Sequence, residues 1–243
     1  VLLLSLFSGD LLSQHSHAVK LWPLSQMLSQ KTILSIVQSK DGTLWIGTLA
    51  GVDRYNGSEF SNYRPNFTEE GHIESSSIVE IIETSNGGIY VATADAGLLV
   101  FDEQSNQFLT VNWITKEELP ASRISSAFSS RDGSIWVGFE SGSIARFLPE
   151  LRQVSSIQLD LGVRIASISQ NPGGKIFAAG ASGKIFELQS NFASYHEVDV
   201  NNSCLDNFSE LDEIASIGEN LLWLGTRDNG LLLLDINNGT CVR

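Results

Sequence analysis

Basic residues are scarce in this sequence of 243 residues, which carries 15 Lys and Arg against 28 Asp and Glu, for a formal net charge of −13. The isoelectric point lies near 4.6, and no stretch of the chain gathers basic side chains. Binding to nucleic acids and to anionic membrane surfaces depends on clustered Lys and Arg. Neither is therefore expected as a partner.

Metal-ligating residues are also few, with two Cys and four His in the whole chain. No HExxH, CxxC or calcium-loop pattern occurs, so the sequence predicts no metal site and no cofactor. The segment 180–184, GASGK, looks superficially like a phosphate loop. It lacks the required spacing and the Ser or Thr after Lys, and we interpret it as a turn between strands.

Long apolar runs are absent as well: VLLLSLF at residues 1–7 is too short to span a bilayer. It resembles the apolar half of a secretory signal, with Ser16 and Ala18 at the two small positions before a cut after Ala18. We interpret 1–18 as a signal-peptide remnant and predict export, with a hydrophobic N-terminal strand as the alternative. A disulfide between Cys204 and Cys241 would suit that compartment, but the sequence leaves open whether they are bonded.

What the chain does contain is a repeat with a period of 41 to 46 residues. In each copy an aromatic residue lies in a short apolar segment that ends at a small residue and a Gly-containing turn. The aromatics are Trp45, Tyr90, Trp136, Phe177 and Trp223, and the small residues are Gly47, Ala92, Gly138, Ala179 and Gly225. A period in the forties built from short β segments is typical of a propeller blade.

Each copy holds four stretches suited to strands, beginning at an Ile that lies 12 residues before the aromatic in the first four copies and near Ile214 in the fifth. Pairs such as Asp41-Gly42 supply the positive φ angles that a tight hairpin needs after the first strand. The aromatic segment is apolar throughout because stacked blades leave both faces of that strand dry.

The sequence thus predicts an all-β fold, a β-propeller of four-stranded antiparallel blades, over residues 19–243. The five blades are expected around 32–63, 78–111, 124–157, 165–198 and 213–243. An all-β sandwich explains the turns but not the recurring Gly and aromatic. The chain stops at Arg243, partway through a fourth strand, and we expect a fragment of a larger ring; closure on five blades with residues 19–24 is the alternative.

The repeat resembles the two-component regulator propeller, a family defined by a motif of the form I..D..G.LWIGT..GL.R(Y/F). Residues 36–55, IVQSKDGTLWIGTLAGVDRY, match it almost position by position. Residues 132–147 and 223–235 are further matches, whereas the second and fourth repeats depart from the motif, with Tyr90 and Phe177 in place of Trp. The resemblance covers roughly residues 20–243.

The resemblance implies a periplasmic sensor domain, tethered to the inner membrane through a C-terminal helix beyond this segment. In the family, the output module is a histidine kinase, often hybrid, or a diguanylate cyclase, and a homodimer of the full-length protein is expected. The motif residues of the family are structural. The resemblance therefore implies a fold and a context, but no binding site.

If a ligand binds, propeller geometry predicts one rim, where the loops after the second strands and the connections between blades emerge together. The candidates there are Asp95, Trp113, Glu140, Arg227 and Asp228. Their acidic, Asn- and Ser-rich surroundings suggest a small molecule, a glycan or a protein surface as partner. The Trp residues of the repeat are interpreted as core and not as a carbohydrate platform.

Three functions remain open from the sequence. The first is a periplasmic ligand- or partner-sensing propeller without catalysis in this segment. The second is an exported scaffold for protein interactions. The third is a propeller enzyme of the lyase or lactonase type, which would need His72 and His196 to converge with carboxylates or a metal.

Overall fold

The computed structural model describes residues 27–65, 72–111, 122–159, 162–189, 194–201 and 209–242. These residues form five antiparallel four-stranded sheets and contain no α-helix. In every sheet the strands follow one another in chain order, so each is a meander joined by hairpins. The predicted all-β propeller of four-stranded blades is confirmed.

The strands are short and are grouped here blade by blade. They are β1 Ile33–Gln38, β2 Leu44–Thr48, β3 Gly51–Tyr55, β4 Phe60–Tyr63; β5 Ile78–Glu83, β6 Ile89–Thr93, β7 Gly97–Asp102, β8 Gln107–Thr110; β9 Ile124–Ser129, β10 Ile135–Phe139, β11 Ser143–Leu148, β12 Gln153–Gln158; β13 Ile165–Gln170, β14 Ile176–Gly180, β15 Ile185–Leu188, β16 Tyr195–Glu197; and β17 Leu211–Ile217, β18 Leu221–Thr226, β19 Gly230–Asp235, β20 Thr240–Val242. A single turn of 3₁₀ helix, Pro149–Leu151, joins β11 to β12.

The fifth blade begins earlier than the sequence indicated. Its inner strand starts at Leu211 instead of near Ile214, and Leu211 pairs with Thr226 as Ile33 pairs with Thr48 in the first blade. Leu211 lies 12 residues before Trp223, so the offset seen in four copies holds in all five. The agreement was not evident from the sequence, because the fifth copy opens with Leu211 whereas the other four open with Ile.

The hairpin between the first two strands is built in the same way in the first four blades. In the first, Ser39 N–H donates to Thr43 O at 2.9 Å and Gly42 N–H donates to Ser39 O at 2.8 Å. Gly42 has φ +87°, which a residue with a Cβ adopts only with strain. The glycine of each predicted turn is therefore set by backbone geometry.

The core lies between successive blades. The ring of Trp45 in β2 contacts the next blade, with its centroid 4.8 Å from that of Phe101 and 5.8 Å from that of Phe108. A Cβ added at Gly47 would come within 2.9 Å of Ile78 Cγ2 in β5. Gly47 and Gly138 thus make room for the inner strand of the following blade.

The Arg of the repeat motif packs over this aromatic and binds the Asp of the preceding hairpin. Across the β10–β11 pair, Arg146 faces Trp136 with its guanidinium 5.7 Å from the ring centroid, and it donates to Asp132 Oδ2 at 2.7 Å. Trp136 Nε1 donates to Ser134 Oγ at 3.0 Å. In the first blade Arg54 lies in the same way over Trp45, at 5.1 Å. Asp, Trp and Arg thus form one structural network within a blade.

The inner strands β1, β5, β9, β13 and β17 stand side by side around an axis, each packed against the next. β17 and β1 lack the packed contact that joins every other successive pair. The outward face of the first blade leaves Ile36 57% exposed, and that of the fifth leaves Leu231 54% exposed. The described residues therefore form an arc of five blades.

The predicted leader, residues 1–18, lies outside the described residues. Among the ranges given above, no helix has the length and apolar character that crossing a membrane requires.

Candidate functional site

One backbone hydrogen bond recurs in every blade and defines a common rim. The residue just after the second strand donates its N–H to the carbonyl of the residue just before the inner strand. The pairs are Leu49 to Thr32, Ala94 to Ser77, Glu140 to Arg123, Ala181 to Arg164 and Arg227 to Glu210. Loops after second strands and connections between blades therefore meet at one end of the arc, called the rim below.

Asp95 lies on the rim in the β6–β7 turn and serves its own blade. Its carboxylate accepts the hydroxyl of Ser75 at 2.5 Å and that of Ser77 at 3.4 Å. The hydrogen bond from Ser75 is the main reason that the pKa of Asp95 lies below its usual value. Asp95 is exposed, but its carboxylate is already engaged with the connection that precedes β5.

Glu140 and Trp113 give less information about a ligand. Glu140 lies in the β10–β11 turn, with its Oε1 3.9 Å from Nε of Arg123, and both side chains are more than half exposed. A pair so open to water contributes little energy. Trp113 falls in 112–121, outside the described residues.

Arg227 belongs to a cluster of alternating charges at the rim, here called the rim ion cluster: Arg164, Glu210, Asp212 and Arg227. Arg227 contacts Glu210 and donates to Asp212 Oδ1 at 2.8 Å, while Arg164 donates to Glu210 Oε1 at 2.7 Å. The hydrogen bond to Asp212 is the main reason that the pKa of Arg227 is raised. The cluster holds the fourth and fifth blades together at the rim.

Asp228 follows Arg227 in the same turn. Its two carboxylate oxygens accept the N–H of Ser209 at 2.9 and 3.1 Å, and this backbone hydrogen bond lowers the pKa of Asp228. Of the predicted rim residues, the structure thus brings Arg227 and Asp228 together, while Asp95 and Glu140 lie in the turns of two other blades.

Beneath the rim, the inner strands line an open axial cavity of about 770 Å³. The third residue of every inner strand is polar: Ser35, Glu80, Ser126, Ser167 and Glu213. Just before this residue, the pairing of each inner strand with the second strand of its blade shifts register. Because the five positions are equivalent, these side chains form one belt around the axis, called the axial belt below.

Serines of the belt reach from one blade to the next. Ser35 Oγ donates to Glu80 Oε1 at 2.5 Å and accepts the N–H of Ile81 at 3.1 Å. Ser167 Oγ likewise donates to Glu213 Oε1. Below them, Ser169 Oγ donates to Ser216 Oγ at 3.0 Å. The axis is therefore held by hydroxyl bridges between neighbouring inner strands.

Glu80 is a carboxyl of the belt whose surroundings change its pKa. Burial raises its pKa, the hydrogen bond from Ser35 opposes that effect, and the negative charge of Glu213 raises it further. Glu80 belongs to the second blade and Glu213 to the fifth, and their negative charges interact across the cavity.

Ser126 is the exception in the belt. It is only 8% exposed, it lines the cavity, and within the described ranges its hydroxyl has no hydrogen-bond partner. The belt was not predicted from the sequence. The available signal was a polar residue two positions after the apolar residue that opens each inner strand, at the same offset in all five copies.

His72 and His196, which a propeller enzyme of the predicted type would need together, lie apart. His72 bridges to Arg64 in the connection after the first blade, and His196 lies on β16, with Nε2 3.9 Å from Glu187. In the described part of the chain, no group of three or more His, Cys, Asp and Glu could hold a metal ion.

Cys241 on β20 is disulfide-bonded, and it packs against the core of the fifth blade. Cys204, the other cysteine of the chain, lies outside the described residues.

Solved structures with the same fold come from several functional classes. The extracellular domain of BT4673 from B. thetaiotaomicron, described as a hybrid two component system, is 20% identical with a TM-score of 0.67, covering 84% of this chain and 27% of that one. Virginiamycin B lyase from Staphylococcus aureus is 13% identical with a TM-score of 0.66, covering 87% and 69%. The RRP9 WD40 repeats are 15% identical with a TM-score of 0.65, covering 85% and 61%.

At these identities the likeness concerns the fold, and the chain spans about a quarter of the length of the BT4673 domain. No curated protein sequence matches the chain significantly. The family model described as two component regulator propeller matches residues 27–50, which contain β1, β2 and the hairpin between them. The resemblance predicted from the motif is thereby confirmed for this first repeat.

Proposed function

We propose that this chain is the ligand- or partner-sensing propeller of a membrane-bound bacterial signalling protein, and that it works in the periplasm. The observation that carries the proposal is the match of residues 27–50 to the two component regulator propeller. The fold supports it, because the extracellular domain of a protein described as a hybrid two component system has the same architecture.

The disulfide of Cys241 supports the compartment. Structural disulfides persist in oxidising spaces such as the bacterial periplasm and are rare in the cytosol. A signal peptide within residues 1–18 and a tether to the inner membrane are parts of the same proposal.

The proposed role is binding, without catalysis in this segment. His72 lies in the connection after the first blade and His196 on β16 of the fourth, and neither is among the residues that line the axial cavity. What the described residues offer instead is a charged rim and a polar cavity beneath it. A small molecule, a glycan or a protein is the proposed partner there, with Arg227 and Asp228 as the rim contacts. Binding would alter a histidine kinase or diguanylate cyclase beyond this segment.

The test uses the native gene in the bacterium that carries it. Deletion of residues 27–243 in frame should change the transcripts or the second-messenger level that the protein controls, while the remaining protein stays in the membrane fraction. A Glu59→Gln variant is the matched control, because Glu59 is exposed in the β3–β4 turn, away from the rim and the cavity. An unchanged output after deletion would overturn the sensing role and favour an exported interaction scaffold.

A further inference from the structure

A groove opens between the first and second blades, at the end of the arc opposite the rim. It is lined by the β1–β2 hairpin, the β5–β6 hairpin and the β7–β8 turn, and its volume is about 310 Å³. Small-molecule pockets usually measure roughly 300–1,000 Å³. The groove, called the underside groove below, is therefore large enough for a molecule of a few heavy atoms.

The equivalent place between the second and third blades is bridged by a hydrogen bond. There Asn86 Nδ2 in the hairpin donates to Glu150 Oε1, in the connection after the third strand of the next blade, at 2.5 Å. Around the underside groove, the same place in the hairpin carries Asp41, and the corresponding turn of the next blade carries Glu103. Two ionised carboxylates have no N–H or O–H to share and repel each other. This bridge therefore cannot form across the underside groove.

Arg54 lies in the wall of the groove with its charge unpaired. Its guanidinium carbon is 5.1 Å from the ring centroid of Trp45 and 5.3 Å from that of Phe101, so aromatic rings of two blades hold it in place. Burial raises the pKa of Tyr63, and a hydrogen bond from Arg54 opposes that effect. Within the described ranges no ion pair includes Arg54, and its buried Nε has no hydrogen-bond partner.

The counterpart of Arg54 in the third blade shows what is missing. Arg146 donates to Asp132 Oδ2 at 2.7 Å, and the two form an ion pair. Asp41 occupies the position of Asp132 in the first blade, but its carboxylate accepts the N–H of Thr43 in its own hairpin at 3.0 Å and forms no ion pair with Arg54. A guanidinium held in this way can bind a carboxylate through two parallel hydrogen bonds. The first blade therefore offers a positioned donor without its acceptor.

The groove also offers a negative charge. Lys40 Nζ donates to Ser85 O at 2.5 Å, and Lys40 N–H donates to Glu83 Oε1 at 3.0 Å, so these side chains already join the two blades. Glu103 is exposed, and in the described part of the chain it belongs to no ion pair. The groove thus presents one unpaired positive group, Arg54, and one unpaired negative group, Glu103.

We propose that the underside groove binds a small zwitterion of the amino-acid type, whose carboxylate lies on Arg54 and whose ammonium lies on Glu103. Trp45 and Ile89 also line the groove and would cover an apolar side chain of the ligand. The inference depends on the proposed sensing function for its role in the cell, but not for the binding itself.

Binding is measured by isothermal titration calorimetry on the purified chain, with L-leucine as the probe. Two molecules with the same hydrocarbon body serve as controls: 4-methylpentanoate, which lacks the ammonium, and 3-methylbutylamine, which lacks the carboxylate. L-Leucine should bind in a saturable manner, and each control should bind about tenfold more weakly or less, because one charge-assisted contact is lost. The proposal is overturned if L-leucine gives no saturable heat, or if either control binds as tightly.

Variants then locate the site. Arg54→Lys keeps the charge but loses the planar guanidinium, and it should weaken L-leucine binding about tenfold. Arg146→Lys makes the same change where the guanidinium is already paired, and it should bind like the parent. Glu103→Gln should weaken binding about threefold, as expected for an exposed ion pair. Glu59→Gln removes the same charge from the β3–β4 turn, outside the groove, and should have no effect.

Thermal unfolding without ligand checks that every variant is folded, and Glu103→Gln, in an exposed turn, tests the site even if Arg54→Lys does not fold. Equal affinity of the parent and a folded Arg54→Lys, or of the parent and Glu103→Gln, would place L-leucine elsewhere and refute the site.

Failure of this inference is distinguishable from failure of the sensing function. A chain that does not bind L-leucine but whose deletion changes the output is a sensor without this site. A chain that binds L-leucine at Arg54 but whose deletion leaves the output unchanged has the site without the sensing role.

Discussion

The third and fifth blades both carry the Trp and the Gly of the repeat motif, but these residues are packed differently in the two blades. Trp136 is fully buried and Gly138 lies against the next inner strand, where an added Cβ would come within 2.5 Å of Ile165 Cβ. Trp223 is only partly buried, and an added Cβ at Gly225 would meet nothing closer than 3.5 Å, in its own blade. In both blades the aromatic and the glycine face the side where the following blade packs. Among the described residues, the third blade has such a neighbour and the fifth does not.

The comparison shows that a motif residue contributes to stability through the interface between two blades and not through the blade in which it lies. A sequence pattern scores Trp136 and Trp223 alike. Packing separates them, because burial of apolar area, and not residue type, determines the contribution of a side chain to stability.

The largest effect is expected from removing the two tryptophans in turn. Trp136→Ala should lower the free energy of unfolding by about 3–5 kcal/mol, as is usual for a buried aromatic. Trp223→Ala should cost about 1–2 kcal/mol, because less area is buried. Urea unfolding followed by circular dichroism measures both, and equal losses would remove the distinction between the two blades.

Reduction of the disulfide should affect the fifth blade before the third. In the chain-entropy view a disulfide typically stabilises the folded state by about 2–4 kcal/mol. Hydrogen exchange with and without reductant should show β17–β20 losing protection while β9–β12 keep theirs. The Cys204→Ser/Cys241→Ser double variant should show the same loss without any response to reductant, whereas a uniform loss over both blades would contradict the prediction.

The glycines offer a finer version of the same comparison. Gly138→Ala should destabilise by about 1–3 kcal/mol, because the new methyl overlaps β13 and the blades must shift. Gly225→Ala should change stability by about 0.5 kcal/mol or less. Thermal unfolding of the two variants side by side is the measurement, and a larger loss at Gly225 would show that its face is covered in solution.

The smallest effect concerns the Asp–Arg pair that the third blade has and the fifth lacks, since Trp223 faces Leu233 across the strands. Burial acts to raise the pKa of Asp132, but hydrogen bonds from Ser134 and the charge of Arg146 outweigh it and lower that pKa. A lowered carboxyl pKa contributes stability above the usual Asp value, and this contribution is lost as the pH falls through the lowered value.

Asp132→Asn should therefore cost about 1 kcal/mol or less at neutral pH, since the pair is partly exposed. Its stability should also depend less on pH on the acid side. Urea unfolding at several pH values between about 2 and 7 gives both quantities. A variant with the same acid limb as the parent would show that Asp132 has no part in it.

The repeat made most of the fold predictable, because Trp, Gly and the hairpin turn recur at one offset and each has a local physical reason. The rim candidates were found by the same logic, but their use was not predictable. Whether Asp95 binds Ser75 or a ligand depends on where the preceding connection lies, and no offset encodes that.

The axial belt was missed for a different reason. Ser35, Glu80, Ser126, Ser167 and Glu213 share a position, but they share no chemistry that a motif search would align. Ser is among the commonest residues of exposed loops, and Glu is mostly a surface residue. Only the arrangement of five inner strands around one axis makes these residues neighbours.

The hydroxyl bridges also have a mechanical consequence. Two pairs of successive blades are joined near the axis, where Ser35 meets Glu80 and Ser167 meets Glu213, while their outer strands lie several strand spacings away. A strand spacing is about 4.8 Å, so the outer edge of a four-stranded blade moves through a longer path than its inner edge for the same rotation. Lengthening one serine–glutamate bridge would therefore tilt the whole blade, with the largest displacement at its outer strand.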